Sequence, residues 1–176
     1  MPRLGREWQV VPERIKRLFD YDPITGLLSR TISMGGAATG SLVGTQNGLG
    51  YLQVVIDGVT CVVHRVIWCW VKGAWPEDEI DHNNGVKDDN RWTNLRPADR
   101  AQNQANTARI QTAYPKGVYR HHLKFRAIIT VRGVRQHLGL FPTVEGAARA
   151  YACAAVAAHG DYAHPSVRAW VEGDRS

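Results

Sequence analysis

Apolar residues at Val11, Ile15, Leu18 and Phe19 recur at the spacing of one helical face, which predicts a short amphipathic helix over 11–19. Asp22-Pro23 and Thr25-Gly26 then mark a turn, and a short strand is expected at 27–29. Residues 33–50 are rich in glycine and poor in apolar side chains, so a loop is expected there. Two β-branched runs, 51–56 and 59–63, flank Asp57-Gly58, a strong short-range hairpin signal. The run HRVIWCWVK at 64–72 predicts a helix, closed by Gly73 with Pro76 beyond it.

The pattern then changes. A short strand at 79–82 ends in Asn83-Asn84-Gly85, a polar loop runs to Trp92, and a second short strand is expected at 94–96. Pro97 precedes a polar helix at about 98–108, and 109–115 lack periodicity, the mark of a linker. Three strands follow at about 117–121, 125–131 and 134–138, the last two joined by Arg132-Gly133. Thr143 caps a helix that runs to His159 and stops at Gly160. Eight of its residues are alanine, which favours helix and lets it lie close against a sheet. The expected fold class is α+β: a small β-β-α core preceded by β-hairpins and followed by a three-stranded antiparallel sheet on one Ala-rich helix. The expected parts are an N-terminal helix and hairpin region (1–60), a core (61–110), a linker (111–115), a sheet–helix module (116–165) and a tail (166–176).

Charge sharpens this division. Residues 1–60 hold six Lys/Arg against five Asp/Glu, residues 61–110 seven of each, and residues 111–176 nine against four. Nearly all of the net charge of +6 therefore sits in the last third, and 114–140 contains no acidic residue. A one-signed patch of that size favours a polyanion partner. The three cysteines are odd in number and contain no Cys-x-x-Cys pair, which argues against a disulfide framework or a structural zinc and for a reducing, cytoplasmic setting. The N-terminus shows no signal-peptide run, and the most apolar window, 59–71, is broken by His64 and Arg65 and too short to span a bilayer, so no membrane partner is expected.

Candidate chemistry concentrates in residues 79–106, EIDHNNGVKDDNRWTNLRPADRAQNQAN. Hydrolysis of a phosphodiester needs a base to deprotonate water and a cation to stabilise charge developing on the phosphate and on the departing 3′ oxygen. An imidazole titrates near neutrality, so His82 suits the base. Asp81 supplies a carboxylate and Asn103 an amide oxygen, hard donors that suit magnesium, with manganese as the alternative. Adjacent strand residues point to opposite faces, so the strand end must bend if Asp81 and His82 are to serve one phosphate, and Asn83-Asn84-Gly85 offers the bend.

Asp81-His82, Asn94-Leu95 and Asn103 together make residues 79–106 resemble the HNH endonucleases with a β-β-α-metal core, in the version with Asn at the third motif position. The wider pattern, GYLQVVIDG…HRVIW…WP…IDHNNGVKDDNRWTNLR, resembles the homing endonucleases of phage genomes and their introns. The resemblance implies that His82 activates water, that Asp81 and Asn103 bind one divalent cation, and that Asn94 is structural, pinning the loop that orients His82. The spacing of 21 from His82 points to Asn103, with Asn106 one turn on as the alternative ligand. His64 matches the His-Arg pair common in this group and is read as structural or phosphate-contacting.

Residues 116–165 resemble the DNA-binding domain of plant ethylene-response factors, on the landmarks Lys116-Gly117-Val118, Phe125 with Ala127 and Ile129, Leu138-Gly139 before Phe141, and the Ala-rich helix ending in His159-Gly160. That resemblance implies a three-stranded sheet entering the major groove. The tryptophans often found on the plant sheet are absent; Leu123 or Phe125 and His137 stand near those places. Alternation places Lys124, Arg126, Ile128, Thr130 and Arg132 on one face and Phe125, Ala127, Ile129 and Val131 on the other. Arg120, Lys124, Arg126, Arg132 and Arg135 are the expected DNA contacts, made to double-stranded DNA by a monomer rather than an obligate dimer. The competing reading of the whole chain is a sequence-specific DNA-binding regulator with an inactive nuclease core.

Overall fold

The computed structural model describes residues 6–107 and 113–173. The expectations for 108–112, which include part of the linker, and for both chain ends lie outside the described residues. The chain is α+β, built from small antiparallel sheets and helices, and divides into two compact units. The first comprises Met1–His82 and Val86–Ala98, the second Asn83–Gly85 and Asp99–Ser176.

In the first unit, α1 (Pro12–Leu18) starts on a proline, whose missing N–H costs nothing at a helix start, and buries Ile15 and Leu18. The apolar pattern continues through Phe19, but the chain is by then extended: β1 (Phe19–Tyr21) pairs antiparallel with β2 (Leu28–Arg30). The glycine-rich stretch is mostly loop, as expected, yet it also contributes β3 (Thr45–Gln46), paired with β4 (Leu52–Ile56). Asp57 and Gly58, both at positive φ, turn β4 into β5 (Val59–Val62). Then α2 (Val63–Lys72) packs Val63, Val66 and Ile67 with Phe19, Leu28 and Ile56 in one core, and Gly73 ends it in the left-handed conformation. Finally β6 (Glu79–His82) pairs with β7 (Leu95–Ala98), Asp81 opposite Arg96 and His82 opposite Leu95. Asn94, expected to open the strand, instead closes a 3-10 turn, Trp92–Asn94. Its backbone N–H donates to Arg91 O and its side chain to Asp89 O, so it curls the loop before pairing begins. Pro97 sits inside β7, tolerated because a two-stranded sheet has only edges.

In the second unit, α3 (Arg100–Ala105) is shorter than the expected helix. Asp99 caps it, accepting from Gln102 N–H while the Gln102 side chain accepts from Asp99 N–H. At its other end the Lys116 ammonium donates to the carbonyls of Gln104, Ala105 and Thr107, at 3.3, 2.8 and 2.7 Å, satisfying acceptors that the helix itself cannot. The strands β8 (Val118–His121), β9 (Lys124–Val131) and β10 (Val134–Phe141) form one antiparallel sheet in the order β10-β9-β8. A bulge between His137 and Gly139 carries β10 three residues beyond the expected end. Behind the sheet lies α4 (Val144–His159), capped by Thr143 as expected, with Ala147, Ala148, Tyr151, Ala152 and Ala155 buried. Gly117, at φ 77°, is required, since a Cβ there would stand 1.9 Å from the Tyr151 ring. Within the expected tail, α5 (Pro165–Glu172) forms, capped by His164 and burying Val167. Its eight residues carry too little apolar pattern to announce it; the contact of Val167, Trp170 and Val171 with the α4 core holds it.

Candidate functional site

β6 places Asp81 and His82 side by side, 4% and 3% exposed, and their side chains leave it in different company. Asp81 faces Arg96 across the hairpin. Arg96 Nε donates to Asp81 Oδ2 at 2.9 Å, and Nη2 lies 2.8 Å from the same oxygen, a charge contact rather than a second aligned hydrogen bond. His82 lies against two rings: His64 at 4.9 Å, edge-on, and Tyr51 at 5.9 Å. Its Nε2 stands 3.1 Å from Asn90 Oδ1, and Asn90 is itself only 2% exposed. Burial pushes the His82 imidazole below its ordinary pKa, opposed by the Asn90 hydrogen bond and by the nearby carboxylates of Asp81, Asp89 and Asp88. His82 is thereby biased toward the neutral form that can accept a proton.

His64 is more deeply affected. Burial, then the neighbouring His82 and Arg65, lower it to about 3. The unfolded chain takes up this proton near the ordinary 6.5, whereas the folded chain resists it down to about 3. The contribution of neutral His64 to stability is therefore complete above about pH 6.5 and is lost as pH falls toward 3, by at most about 1.4 kcal/mol per pH unit. Denaturant midpoints measured from neutral to acid pH should fall across this window, and less steeply in His64→Leu. An equal acid limb in both proteins would place the proton uptake elsewhere.

The loop from Val86 to Asn94 supplies His82 with its partner and is pinned by Asn94, whose Nδ2 donates to Asp89 O at 2.7 Å. Lys87 closes the loop's other side, donating to Leu49 O at 2.8 Å with its ammonium 4.9 Å from the Tyr51 ring centre. Sequence reasoning missed Asn90, Arg96 and Tyr51. Each sits among other polar or aromatic residues, and only folding puts it against His82 or Asp81. The pairing register of β6 and β7 would have found Arg96.

Asn103 lies on α3 in the second unit, with its N–H on the Asp99 carbonyl, and Asn106 follows at the helix end. Among the described residues no group of three or more His, Cys, Asp or Glu is placed to hold a metal. The Asp81 carboxylate by itself is a hard oxygen donor of the kind magnesium takes together with waters and substrate phosphate.

The basic residues separate by register. Cross-strand partners share a face, so Lys124 with His121, Arg126 with Tyr119, and Thr130 with Arg135 lie on the face away from α4. Ile128, opposite His137 and only 8% exposed, gives that face an apolar centre. Arg120 stands opposite Phe125, on the other face, with its Nε donating to His122 O, and Arg132 occupies the β9–β10 turn at φ 50°. The five expected contacts thus resolve into three on one face, one at the turn and one behind.

No helix among the described residues is long and apolar enough to cross a membrane. Neither the curated proteins nor the solved structures provide a match to this chain. The model of the HNH endonuclease family matches residues 61–105. The match spans about a quarter of the chain, from the end of β5 through the Asp81-His82 hairpin to the end of α3; this segment is similar to an HNH endonuclease domain and supports a DNA nuclease.

Proposed function

We propose that the protein is a metal-dependent DNA endonuclease of the homing type, cutting duplex DNA at a long recognition site and acting on it as a monomer. The observation that carries this reading is the pair at the end of β6: a buried, hydrogen-bonded imidazole held toward its neutral form beside a buried carboxylate. In this reading His82 takes the proton of a water molecule. The hydroxide attacks phosphorus, the bond to the 3′ oxygen breaks, and the electron pair leaves with that oxygen. Asp81 and Asn103 would hold one divalent cation, magnesium before manganese, which when bound stabilises charge on the phosphate and the departing oxygen. Asn94 keeps the loop closed over His82.

Incubation with genomic DNA of the host and magnesium, followed by mapping of the ends, tests the whole reading. Discrete ends are expected with magnesium or manganese and none in excess chelator. Undiminished cutting in chelator would remove the metal from the scheme.

The sheet face of Lys124, Arg126 and Arg135 is assigned to DNA. Each phosphate neutralised releases counterions, so log affinity falls with log salt by about 0.9 per contact on duplex DNA. Replacing all three residues by glutamine should flatten the salt slope by about two to three units. Arg120→Gln, on the opposite face, should leave the slope nearly unchanged. Equal effects from the triple and the Arg120 variants would show that the sheet face is not the binding surface.

A further inference from the structure

The Asn90 side chain has an orientation fixed by its two neighbours. Its Nδ2 donates to the Asp88 carbonyl at 3.4 Å, an atom that can only accept. Its Oδ1 therefore faces His82 Nε2, at 3.1 Å, and a carbonyl oxygen can only accept there. The hydrogen of a neutral His82 must then sit on Nε2, which leaves the ring's lone pair on Nδ1.

Asn90 is held in turn by a part of the chain outside the matched HNH segment. Tyr21, on β1, donates its hydroxyl to Asn90 O at 2.8 Å, and the Trp92 N–H donates to Pro23 O at 3.2 Å. Between them Gly26, at φ 76°, lets the two backbones touch: a Cβ at this position would stand 2.4 Å from Arg91 N and 2.6 Å from the Asn90 carbonyl carbon. Three successive residues, Asn90 to Trp92, are thus gripped by the turn that joins β1 to β2.

We infer that Asn90 is a positioning residue for His82, fixing its tautomer and ring orientation, and that Tyr21 and Gly26 are the support that holds Asn90 in place. The inference rests on His82 being the base, as proposed above. It makes the β1–β2 turn part of the catalytic apparatus although the HNH match begins at residue 61.

The test uses the full-length protein, labelled with 15N in its histidines. Long-range proton–nitrogen spectra report which ring nitrogen of His82 carries the hydrogen. The wild type is expected to show the Nε2–H form. Asn90→Ala should give a mixed tautomer signature and a kcat lower by about 10–100-fold, with KM for DNA unchanged, as expected when a reacting group is misplaced rather than removed. Asn90→Asp keeps an acceptor at the same place and should restore the Nε2–H signature and part of the rate. Tyr21→Phe, which removes one hydroxyl, should lower kcat in the same direction and by less; it also reads the support if Asn90→Ala does not fold. An Nδ1–H tautomer in the wild type, or wild-type kcat and spectra in Asn90→Ala, would overturn the inference. The spectra stand apart from cleavage, so an Nε2–H signature lost in Asn90→Ala, in a protein whose His82→Ala variant still cuts normally, would indict the assignment of the base and leave the Asn90 contact intact.

Discussion

His82→Ala is expected to lower the rate of DNA cleavage by about 10²–10⁴-fold, the usual worth of a general base, while DNA affinity changes little. A base acts on the proton that moves in the transition state and contributes little to ground-state binding. The structure adds a condition: the ring fills a buried space between His64, Tyr51 and Asn90, so alanine also leaves a small cavity. His82→Gln, which retains more of the volume, separates the two effects. It should recover stability but not activity. Single-turnover cleavage and a thermal melt on each variant make the comparison. A wild-type rate in either variant would exclude His82, and Tyr51 and His64 would be the neighbouring groups to examine.

Asp81→Ala is expected to have two large and separable consequences. Asp81 is 5% exposed at its side chain and Arg96 17%, so their contact is a buried pair. Removing only the carboxylate takes from the guanidinium a charge partner it meets in a poorly solvated place, and losing one member of such a pair typically costs about 3–5 kcal/mol. The same change should abolish metal-dependent cutting, because the proposed cation loses its only carboxylate. The double variant Asp81→Ala with Arg96→Met removes both charges and should regain most of the stability, since a buried pair is often replaced by apolar groups at little cost. It should remain inactive. Recovery of cleavage in the double variant would show that Asp81 serves only to neutralise Arg96. A single variant as stable as the wild type would show that Arg96 finds water or another acceptor once the carboxylate is gone.

Several elements were legible in the sequence because a local signal and the final environment agreed. Asp57-Gly58 between two β-branched runs gave the β4–β5 hairpin, and Thr143 and Gly160 marked the ends of α4. Gly73 ended α2 in the left-handed conformation that glycine adopts without strain. Tertiary packing decided against local pattern elsewhere. Phe19 continues the helical spacing of α1 yet belongs to β1, because pairing with β2 satisfies its backbone while its ring stays in the core. Short α5 exists only because the α4 core covers its apolar side. Ile128 alternates with the basic residues, as read from sequence, but it is buried, which alternation alone does not specify.

The candidate site divides in the same way. By itself the sequence determined the residue types and spacings, Asp81-His82, Asn94 and Asn103, that make the segment resemble an HNH core, and these residues fall inside the matched range 61–105. It also determined the basic bias of the last third, since charge can be summed without a fold. Only the tertiary structure decided what surrounds those residues. Arg96 meets Asp81 through strand register, and Arg120 leaves the face of Lys124 and Arg126 for the same reason. Asn90 reaches His82 because a loop closes against a turn more than 60 residues earlier in the chain, a contact that depends on the space beside a glycine with no Cβ. Spacing along a chain records which groups are available. Their protonation, orientation and partners follow from burial and long-range contact, which no local pattern contains.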